Sequence, residues 1–330
     1  METQMNLRFG DLSVDKCPEK YDDYECPMKE IYRPRMEQLG ETEMLKQQSI
    51  QQVREWIAKH PDIKRCRTDA PFLLRFLRTN KFSFLRTIES LERFLLARTM
   101  HPDWFQNLSL DSDQELLKTM ENGYLIPIPK LDSQGRIVFF SSSAALEPNR
   151  KSIMAAIKMN HLMGEVFGDS PEAQFAGLVL IYDMSRVDMS LLGTMTLYEI
   201  RQLVELTNSA NAVRVQELHF INTPAVSRTI ANMVLQLLSE KIRSRIFCHG
   251  SLEELYANVD RALLPEEFGG TVSVQKAIED FKAICHKMKP RLLALDQMEI
   301  DVERVTERRN KTDPKGEDLG IGCFRKLQVD

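Results

Sequence analysis

The chain has 330 residues, of which 43% are hydrophobic and 28% are charged, and its formal net charge is −4. This composition predicts a folded protein with one large and one small domain, and the acidic balance argues against electrostatic nucleic-acid binding. No apolar run approaches the roughly 20 residues of a membrane span, no signal-peptide core is present and no CxxC pair occurs, so we expect a cytoplasmic protein with peripheral membrane contact.

Three short helices are predicted in the first third of the chain. Residues 1–40 show no periodicity and are expected to form a loosely ordered tail. Apolar residues at helical spacing follow Thr42, while Asp69 and Ser83 are suited to cap a second and a third helix. Two arginines of the second helix are expected to remain in solvent, Arg75 and Arg78.

Strands and helices alternate in the middle of the chain. A hairpin is predicted at 124–140, and the apolar run at 177–183 predicts a strand that is covered on both faces. A similar strand is predicted at 218–221, with long helices at 152–167 and 191–206. This alternation predicts an α/β sandwich with a largely parallel sheet.

The segment after the last apolar strand has an amphipathic part and a basic part. A helix that begins near Thr223 would place Ile230, Val234 and Leu237 on one face, as a permanent core helix also would. Lys241, Arg243 and Arg245 alternate with other residues up to position 246, so an extended chain would send all three to one side. That pattern is compatible with a solvated edge or with a site for an anionic headgroup.

The C-terminal part of the chain carries one further helix. It is predicted from Ser273 to about Lys289, and Pro290 is expected to break or kink it. The chain beyond Glu299 is rich in charge and is interpreted as a tail.

No motif predicts catalysis, a cofactor or a metal site. Walker, GxSxG and post-strand GxGxxG motifs are missing from the sequence. Gly168-Asp169-Ser170 is similar to the first block of one class of lipid esterases, but we interpret Gly168 as a helix stop. His219 lies in an apolar strand and is interpreted as a hydrogen-bonded core histidine.

Four motifs resemble the CRAL-TRIO lipid-binding family, specifically its retinaldehyde-binding and tocopherol-transfer branch. They are Phe72–Arg78, Leu218–Asn222, Lys241–Gly250 and Leu264–Gly270, and the resemblance covers about residues 42 to 275. It implies a helical module followed by an α/β domain whose apolar cavity is closed by a gate helix after Asn222. The implied division is a tail at 1–40, the module at 41–110, the lipid-binding domain at 111–275, and a helix with a charged tail at 276–330.

The resemblance also implies which residues contact the ligand. Asn160 and Thr207 would be the polar groups that orient a hydroxyl or a carbonyl, although any α/β core contains a similar set of apolar residues. The implied lining comprises Ile157, Asn160, Leu178, Leu180, Tyr182, Leu203, Leu206, Thr207, Val213, Val215, Ile230, Val234 and Leu237.

A phosphoinositide site is implied next to the gate. Arg214, Lys241 and Arg245 match positions at which tocopherol-transfer-like members bind this headgroup, with Arg243 as a further candidate. Asn80 and Gln216 stand where those members have arginine, and Leu235–Leu238 departs from their Lys-Pro-Phe-Leu run. Three other cations could compensate, namely Arg78, Lys81 and Arg243.

The resemblance therefore implies a monomeric, non-catalytic carrier of one hydrophobic molecule, such as a retinoid or a tocopherol. Opening the gate in water would cost on the order of 10 kcal/mol of lost burial, and a bilayer that accepts the same apolar face would offset most of it. The alternative is a regulatory adaptor that binds lipid and docks a partner protein without transfer.

Overall fold

The computed structural model describes residues 5–10, 12–16, 29–196, 198–200, 202–203, 213–225, 235–236, 238 and 240–312. The helices in this part are α1 Arg33–Leu39, α2 Glu43–Lys59, α3 Ala70–Thr79, α4 Phe84–Met100, α5 Pro102–Phe105, α6 Gln114–Glu121, α7 Arg150–Phe167, α8 Met189–Leu192, α9 Glu240–Arg243, α10 Leu252–Tyr256, α11 Val274–Leu295 and α12 Val302–Thr312. The strands are β1 Ile63–Arg65, β2 Leu125–Pro127, β3 Ile137–Ser142, β4 Leu178–Asp183, β5 Val215–Ile221, β6 Ile246–Cys248 and β7 Glu299–Ile300.

The helical module begins as the sequence predicts. The Thr42 side chain accepts a hydrogen bond from the amide of Leu45, and the Asp69 side chain accepts one from the amide of Phe72. Ser83 precedes α4 but makes no side-chain cap. The three predicted helices are confirmed. They could be predicted because their capping signals are local in sequence.

The main sheet has five strands in the order β2-β3-β4-β5-β6. The pair β2–β3 is antiparallel, and the pairs β3–β4, β4–β5 and β5–β6 are parallel. The predicted α/β domain with a largely parallel sheet is therefore confirmed.

The chain after residue 298 returns to the helical module. Strand β7 pairs antiparallel with β1, where Ile63 faces Ile300, and both isoleucines are buried. Val305 of α12 is 1% exposed, and α12 contacts α4. Part of the predicted charged tail is thus folded as far as residue 312.

Two of the helix predictions are wrong in the described part of the chain. The predicted helix 191–206 is interrupted, because α8 ends at Leu192 and Thr194 donates its hydroxyl to the Leu191 carbonyl. Such side-chain bonds compete with the helix. Helix α11 continues through Pro290, which is exposed, because the buried Leu292 and Leu295 beyond it favour a continuous helix.

The expectation that Arg75 and Arg78 face solvent is also wrong. Arg75 Nε donates to Asp169 at 2.7 Å and its Nη1 donates to Glu165 at 3.1 Å. Arg78 pairs with Glu41, and the side chains of both residues are 3% exposed. The periodicity of α3 could not reveal these acidic partners, because they are distant in sequence.

Asp169 is the centre of a buried ion-pair network that joins three parts of the chain. It accepts hydrogen bonds from Arg67 and Arg75 of the module and from Arg291 of α11. Burial alone would raise its pKa, but the three guanidinium groups outweigh burial and hold the pKa of Asp169 well below its usual range. We define the buried ion-pair network as Arg67, Asp69, Arg75, Arg98, Glu165, Asp169 and Arg291.

Candidate ligand-binding and anion-binding sites

One face of the sheet is apolar and only partly buried at β4 and β5. Leu180 pairs with Leu218 and Tyr182 pairs with Phe220 across the two parallel strands, so these four side chains share a face. The rings of Tyr182 and Phe220 stack with centroids 5.5 Å apart. Leu180 is buried, but Tyr182, Leu218 and Phe220 are half-buried, as is Val215 on the same face. We refer to these five residues as the open sheet face.

Polar groups of helix α7 lie at the open sheet face. Tyr182 donates its hydroxyl to the Asn160 side-chain oxygen at 3.3 Å, and the Asn160 amide donates to the Tyr124 hydroxyl at 3.1 Å. Burial raises the pKa of Tyr182 although the side chain keeps accessible surface. Asn160 therefore lies at the open sheet face, with its side-chain amide in contact with two tyrosines.

The other implied lining residues divide into three groups. Leu178 is fully buried, and Val213 is half-buried close to Gly164 of α7. Ile157 and Leu203 belong to a separate apolar cluster that includes Trp104 and Phe105. The remaining predicted positions lie outside the described residues: Leu206, Thr207, Ile230, Val234 and Leu237.

The base of the predicted gate is anchored to the carboxyl end of the sheet. Asn222 follows β5 with φ of 53°, a left-handed conformation that asparagine tolerates better than most residues. Its side-chain amide donates to Asp183 Oδ1 at 2.8 Å, and Ser142 donates its hydroxyl to the same carboxylate. Beyond Ala225, most of the predicted gate lies outside the described residues.

The predicted basic strand is wrong in its secondary structure. Residues 240–243 form the short helix α9, and only 246–248 are extended. Lys241 and Arg245 are four residues apart, a spacing that brings side chains together on a helical turn, whereas Arg243 falls on another side. Arg243 is exposed, and the structure does not bring it to the other cations.

Arg214 and Arg245 meet at the start of β5. Arg245 Nη1 donates to the Val215 carbonyl, which directly follows Arg214. Burial, and then the charges of Arg35 and Arg245, lower the pKa of Arg214 to about 10. Its Nη1 atom is buried without a hydrogen-bond partner. Like charges that are close enough to perturb one another are typical of a site that binds an anion.

Lys81 and Arg35 complete the group of cations. Burial lowers the pKa of Lys241, as do the charges of Arg245, Arg214, Lys81 and Arg35 in that order. Lys81 adopts a φ of 52° just after α3, an uncommon conformation for lysine that directs the chain out of the helix. We define the basic cluster as Arg35, Lys81, Arg214, Lys241 and Arg245.

The sequence analysis named Arg214, Lys241 and Arg245 as candidates and Lys81 as a cation that could compensate, but it did not name Arg35. It assigned Arg35 to a loosely ordered tail, and the only available signal was Pro34 at the start of a short helix. Asn80 and Gln216, where the resemblance implies arginine, donate to the carbonyls of Phe76 and Ala176. Both are therefore used within the fold.

The residues considered for catalysis have structural roles. The Ser170 hydroxyl is buried and accepts a hydrogen bond from the amide of Ala173. Gly168 ends α7, and a Cβ there would lie 2.9 Å from the Arg75 guanidinium carbon. His219 is 1% exposed and its ring nitrogens contact Glu217 and His249, which confirms the prediction of a hydrogen-bonded core histidine.

A separate open cleft of about 410 Å³ lies in the helical module. At one end, Arg308 of α12 contacts Glu92, Asp62 and His60. The cleft is lined by Trp56, Lys59, His60, Pro61, Ile88, Glu89, Glu92 and Arg308.

Comparison with known proteins identifies the class of the chain. The family model of the CRAL/TRIO domain matches residues 121–270, and a Pinta-like, UBA domain model matches residues 42–115. The chain therefore belongs to the CRAL/TRIO domain family, which binds hydrophobic ligands and is generally non-enzymatic. The resemblance predicted from the four motifs is confirmed.

The similar curated proteins include the clavesins. Clavesin-1 of Xenopus laevis is 31% identical over 226 residues, which cover 68% of this chain and 68% of that protein. Clavesin-2 of Homo sapiens is 30% identical over 224 residues with the same coverage of both chains. A solved structure titled "Crystal structure of Sfh5" covers 77% of this chain and 92% of its own at 11% identity, and its TM-score of 0.47 is too low to support any conclusion. Within the described residues, no helix is both long and apolar enough to cross a bilayer.

Proposed function

We propose that this protein is a non-catalytic carrier that holds one hydrophobic molecule and exchanges it at membranes containing phosphoinositides. A single observation carries the proposal: the open sheet face and the basic cluster meet at the start of strand β5. Arg214 immediately precedes Val215, whose side chain belongs to the open sheet face and whose carbonyl binds Arg245. An anionic headgroup at the basic cluster would therefore lie beside the apolar site.

The chemistry of each part suits this division of roles. Apolar side chains with a few fixed polar groups bind hydrophobic molecules, and Tyr182 and Asn160 supply the polar groups here. Guanidinium and ammonium groups bind phosphate by charge-assisted hydrogen bonds. In this proposal, contact with the headgroup holds the protein against a bilayer, which then accepts the apolar face of the gate when it opens.

Lipid transfer between vesicles tests the proposal. The protein is first purified without added lipid, and mass spectrometry identifies the lipid that co-purifies. Donor vesicles loaded with that lipid are then mixed with acceptor vesicles that contain or lack a phosphoinositide. We expect transfer that accelerates when the acceptor carries the phosphoinositide. Binding of lipid without transfer would contradict the carrier.

The adaptor alternative has one specific observation in its favour. The cleft in the helical module exposes Trp56 and Ile88 beside charged groups, a combination that suits a protein segment. An adaptor would bind lipid without moving it between vesicles, so the transfer experiment separates the two functions.

A further inference from the structure

Helix α1 carries a cation, Arg35, whose surroundings could not be predicted from the sequence. Arg35 is half-buried, and its Nε atom is enclosed by protein without a hydrogen-bond partner. Its Nη1 atom donates to Gln38 of the same helix. An enclosed guanidinium nitrogen that lacks an acceptor is costly, because the group has lost water without gaining a protein partner.

Contacts at both ends fix α1, to the α/β domain before the helix and to the helical module after it. Before the helix, Tyr32 is 1% exposed, donates its hydroxyl to the Gly135 carbonyl and stacks on Phe175 at 5.9 Å. After the helix, Glu41 makes its buried pair with Arg78. Arg35 lies between these two anchors, so its position is held by packing that does not involve its own charge.

The same packing brings Arg35 to Arg214. Helix α1 contacts residues 172–176, which lead directly to Gly177. A Cβ at Gly177 would lie 3.5 Å from the Arg214 side chain and 2.6 Å from its carbonyl oxygen. Arg35 and Arg214 thus both lie beside this segment, close enough for the charge of Arg35 to lower the pKa of Arg214, and each has an enclosed guanidinium nitrogen without a partner.

In the described part of the chain, no ion pair with a carboxylate offsets the mutual repulsion of the basic cluster. None of the ion pairs found there joins a carboxylate to Arg35, Lys81, Arg214, Lys241 or Arg245. By contrast, the neighbouring Arg33 of α1 pairs with Glu30. Burial and the charge of Arg245 lower the pKa of Arg35, which indicates an unfavourable environment for its charge.

We infer that Arg35 is a headgroup-binding residue, which α1 supplies from the segment before the helical module. The inference rests on the proposed function and adds to it a residue from outside the matched domains. Its ligand is a phosphate group on inositol, carried either by a lipid or by a soluble inositol phosphate. The guanidinium groups of Arg35 and Arg214 would donate to that phosphate.

Binding of the full chain to vesicles tests the role of Arg35. The vesicles are phosphatidylcholine alone or with 5% phosphatidylinositol bisphosphate, and the variants are Arg35→Gln and the matched control Arg33→Gln. We expect Arg35→Gln to bind the phosphoinositide vesicles about tenfold more weakly, because it loses a charge-assisted donor. Arg33→Gln should change binding less than about twofold, because Arg33 is already paired.

A charge-reversal variant distinguishes a role of Arg35 in binding from a role in folding alone. Arg35→Glu should abolish vesicle binding yet raise the melting temperature of the protein without lipid, because a carboxylate would offset the charges of Arg214 and Arg245. A residue needed only for folding would show a lower melting temperature. A second arm measures the stabilisation of each variant by soluble inositol trisphosphate.

The outcomes separate the two proposals. If Arg35→Gln weakens binding to vesicles but not stabilisation by inositol trisphosphate, the phosphate belongs to a lipid. If it weakens both, the site recognises either source. Equal binding by Arg35→Gln and Arg33→Gln overturns the role of Arg35 while the proposed headgroup site stands. If the unchanged protein binds neither probe, both the headgroup site and the role of Arg35 are overturned.

Discussion

Two groups of arginines in this protein have opposite surroundings. In the buried ion-pair network, Arg67, Arg75 and Arg291 all donate to Asp169, and the network is almost closed to solvent. In the basic cluster, Arg35 and Arg214 each keep an enclosed nitrogen without a partner. The same side chain therefore serves the fold where carboxylates surround it, and in the proposed headgroup site, where they do not, it would be available to an outside anion.

This difference teaches how to interpret a buried cation. Burial opposes charge in both groups, but in the network the carboxylates of Asp169 and Glu165 offset the loss of water. In the basic cluster, burial and like charges act in the same direction and lower the pKa of Arg214. Substitutions should therefore affect folding in the first group and binding in the second.

The largest effect is expected from Asp169→Asn, which breaks the buried ion-pair network. It leaves three buried guanidinium groups without their shared carboxylate, so the free energy of unfolding at pH 7 should fall by about 3–5 kcal/mol. Urea denaturation measures it. The matched control is Asp280→Asn, whose partner Lys276 is exposed, and it should cost less than about 0.5 kcal/mol. A loss below about 1 kcal/mol for Asp169→Asn would remove the contrast between buried and exposed pairs.

The second effect concerns the basic cluster. Lys241→Ala combined with Arg245→Ala should weaken binding to phosphoinositide vesicles roughly thirtyfold, at about 1 kcal/mol for each cation. The free energy of unfolding should change little, because repulsion within the cluster is relieved. Co-sedimentation with vesicles measures the binding, and Arg243→Ala is the control with an expected change below about twofold. Unchanged binding by the double variant would remove the headgroup site.

The third effect is the pH dependence of stability that His161 causes. Burial, followed by the charge of Arg98, lowers the pKa of His161 to about 3. The folded protein therefore keeps this ring neutral while the unfolded chain takes up a proton below pH 6.5. Stability should be complete above pH 6.5 and decline as the pH falls toward 3.

The substitution His161→Gln removes this contribution. Between pH 7 and pH 5 we expect the variant to lose about 1–2 kcal/mol less stability than the unchanged protein. Urea denaturation at the two pH values measures this difference. An identical decline in both proteins would show that His161 accepts a proton without penalty.

The smallest effect is expected at the residue beside Asp169. Ser170→Ala removes the acceptor for the amide of Ala173 and should cost about 0.5–1 kcal/mol in the free energy of unfolding. Lipid binding and transfer should not change. Any serine-dependent turnover of lipid that disappears in this variant would instead support a hydrolase.

Local signals predicted most of the fold. The caps at Thr42 and Asp69 and the apolar run at 177–183 act over a few residues, so sequence alone was sufficient for them. Predictions failed where a distant partner decides the outcome. Arg75 is buried because Glu165 and Asp169 lie beside it, and no pattern within α3 carries that information.

The candidate sites were less predictable than the fold. Helix α9 has four residues, too few to show helical periodicity, and its alternating composition therefore predicted a strand. Arg35 lies before the first periodic segment, so only the packing of α1 through Tyr32 places it near the other cations. Three residues of the open sheet face, Leu180, Tyr182 and Val215, were assigned through family resemblance, and Leu218 and Phe220 were not assigned, because a cavity wall and a solid core have the same apolar composition.

The pairing of Ile63 with Ile300 has a practical consequence for trimming this polypeptide. A shortened version that stops at residue 298 would remove both β7 and α12, leaving the backbone of β1 as an unpaired edge. Such an edge invites self-association, so the shortened version should precipitate more readily than one that stops at residue 312. Gene boundaries for recombinant expression are therefore better placed after α12 than at the end of the matched family domain.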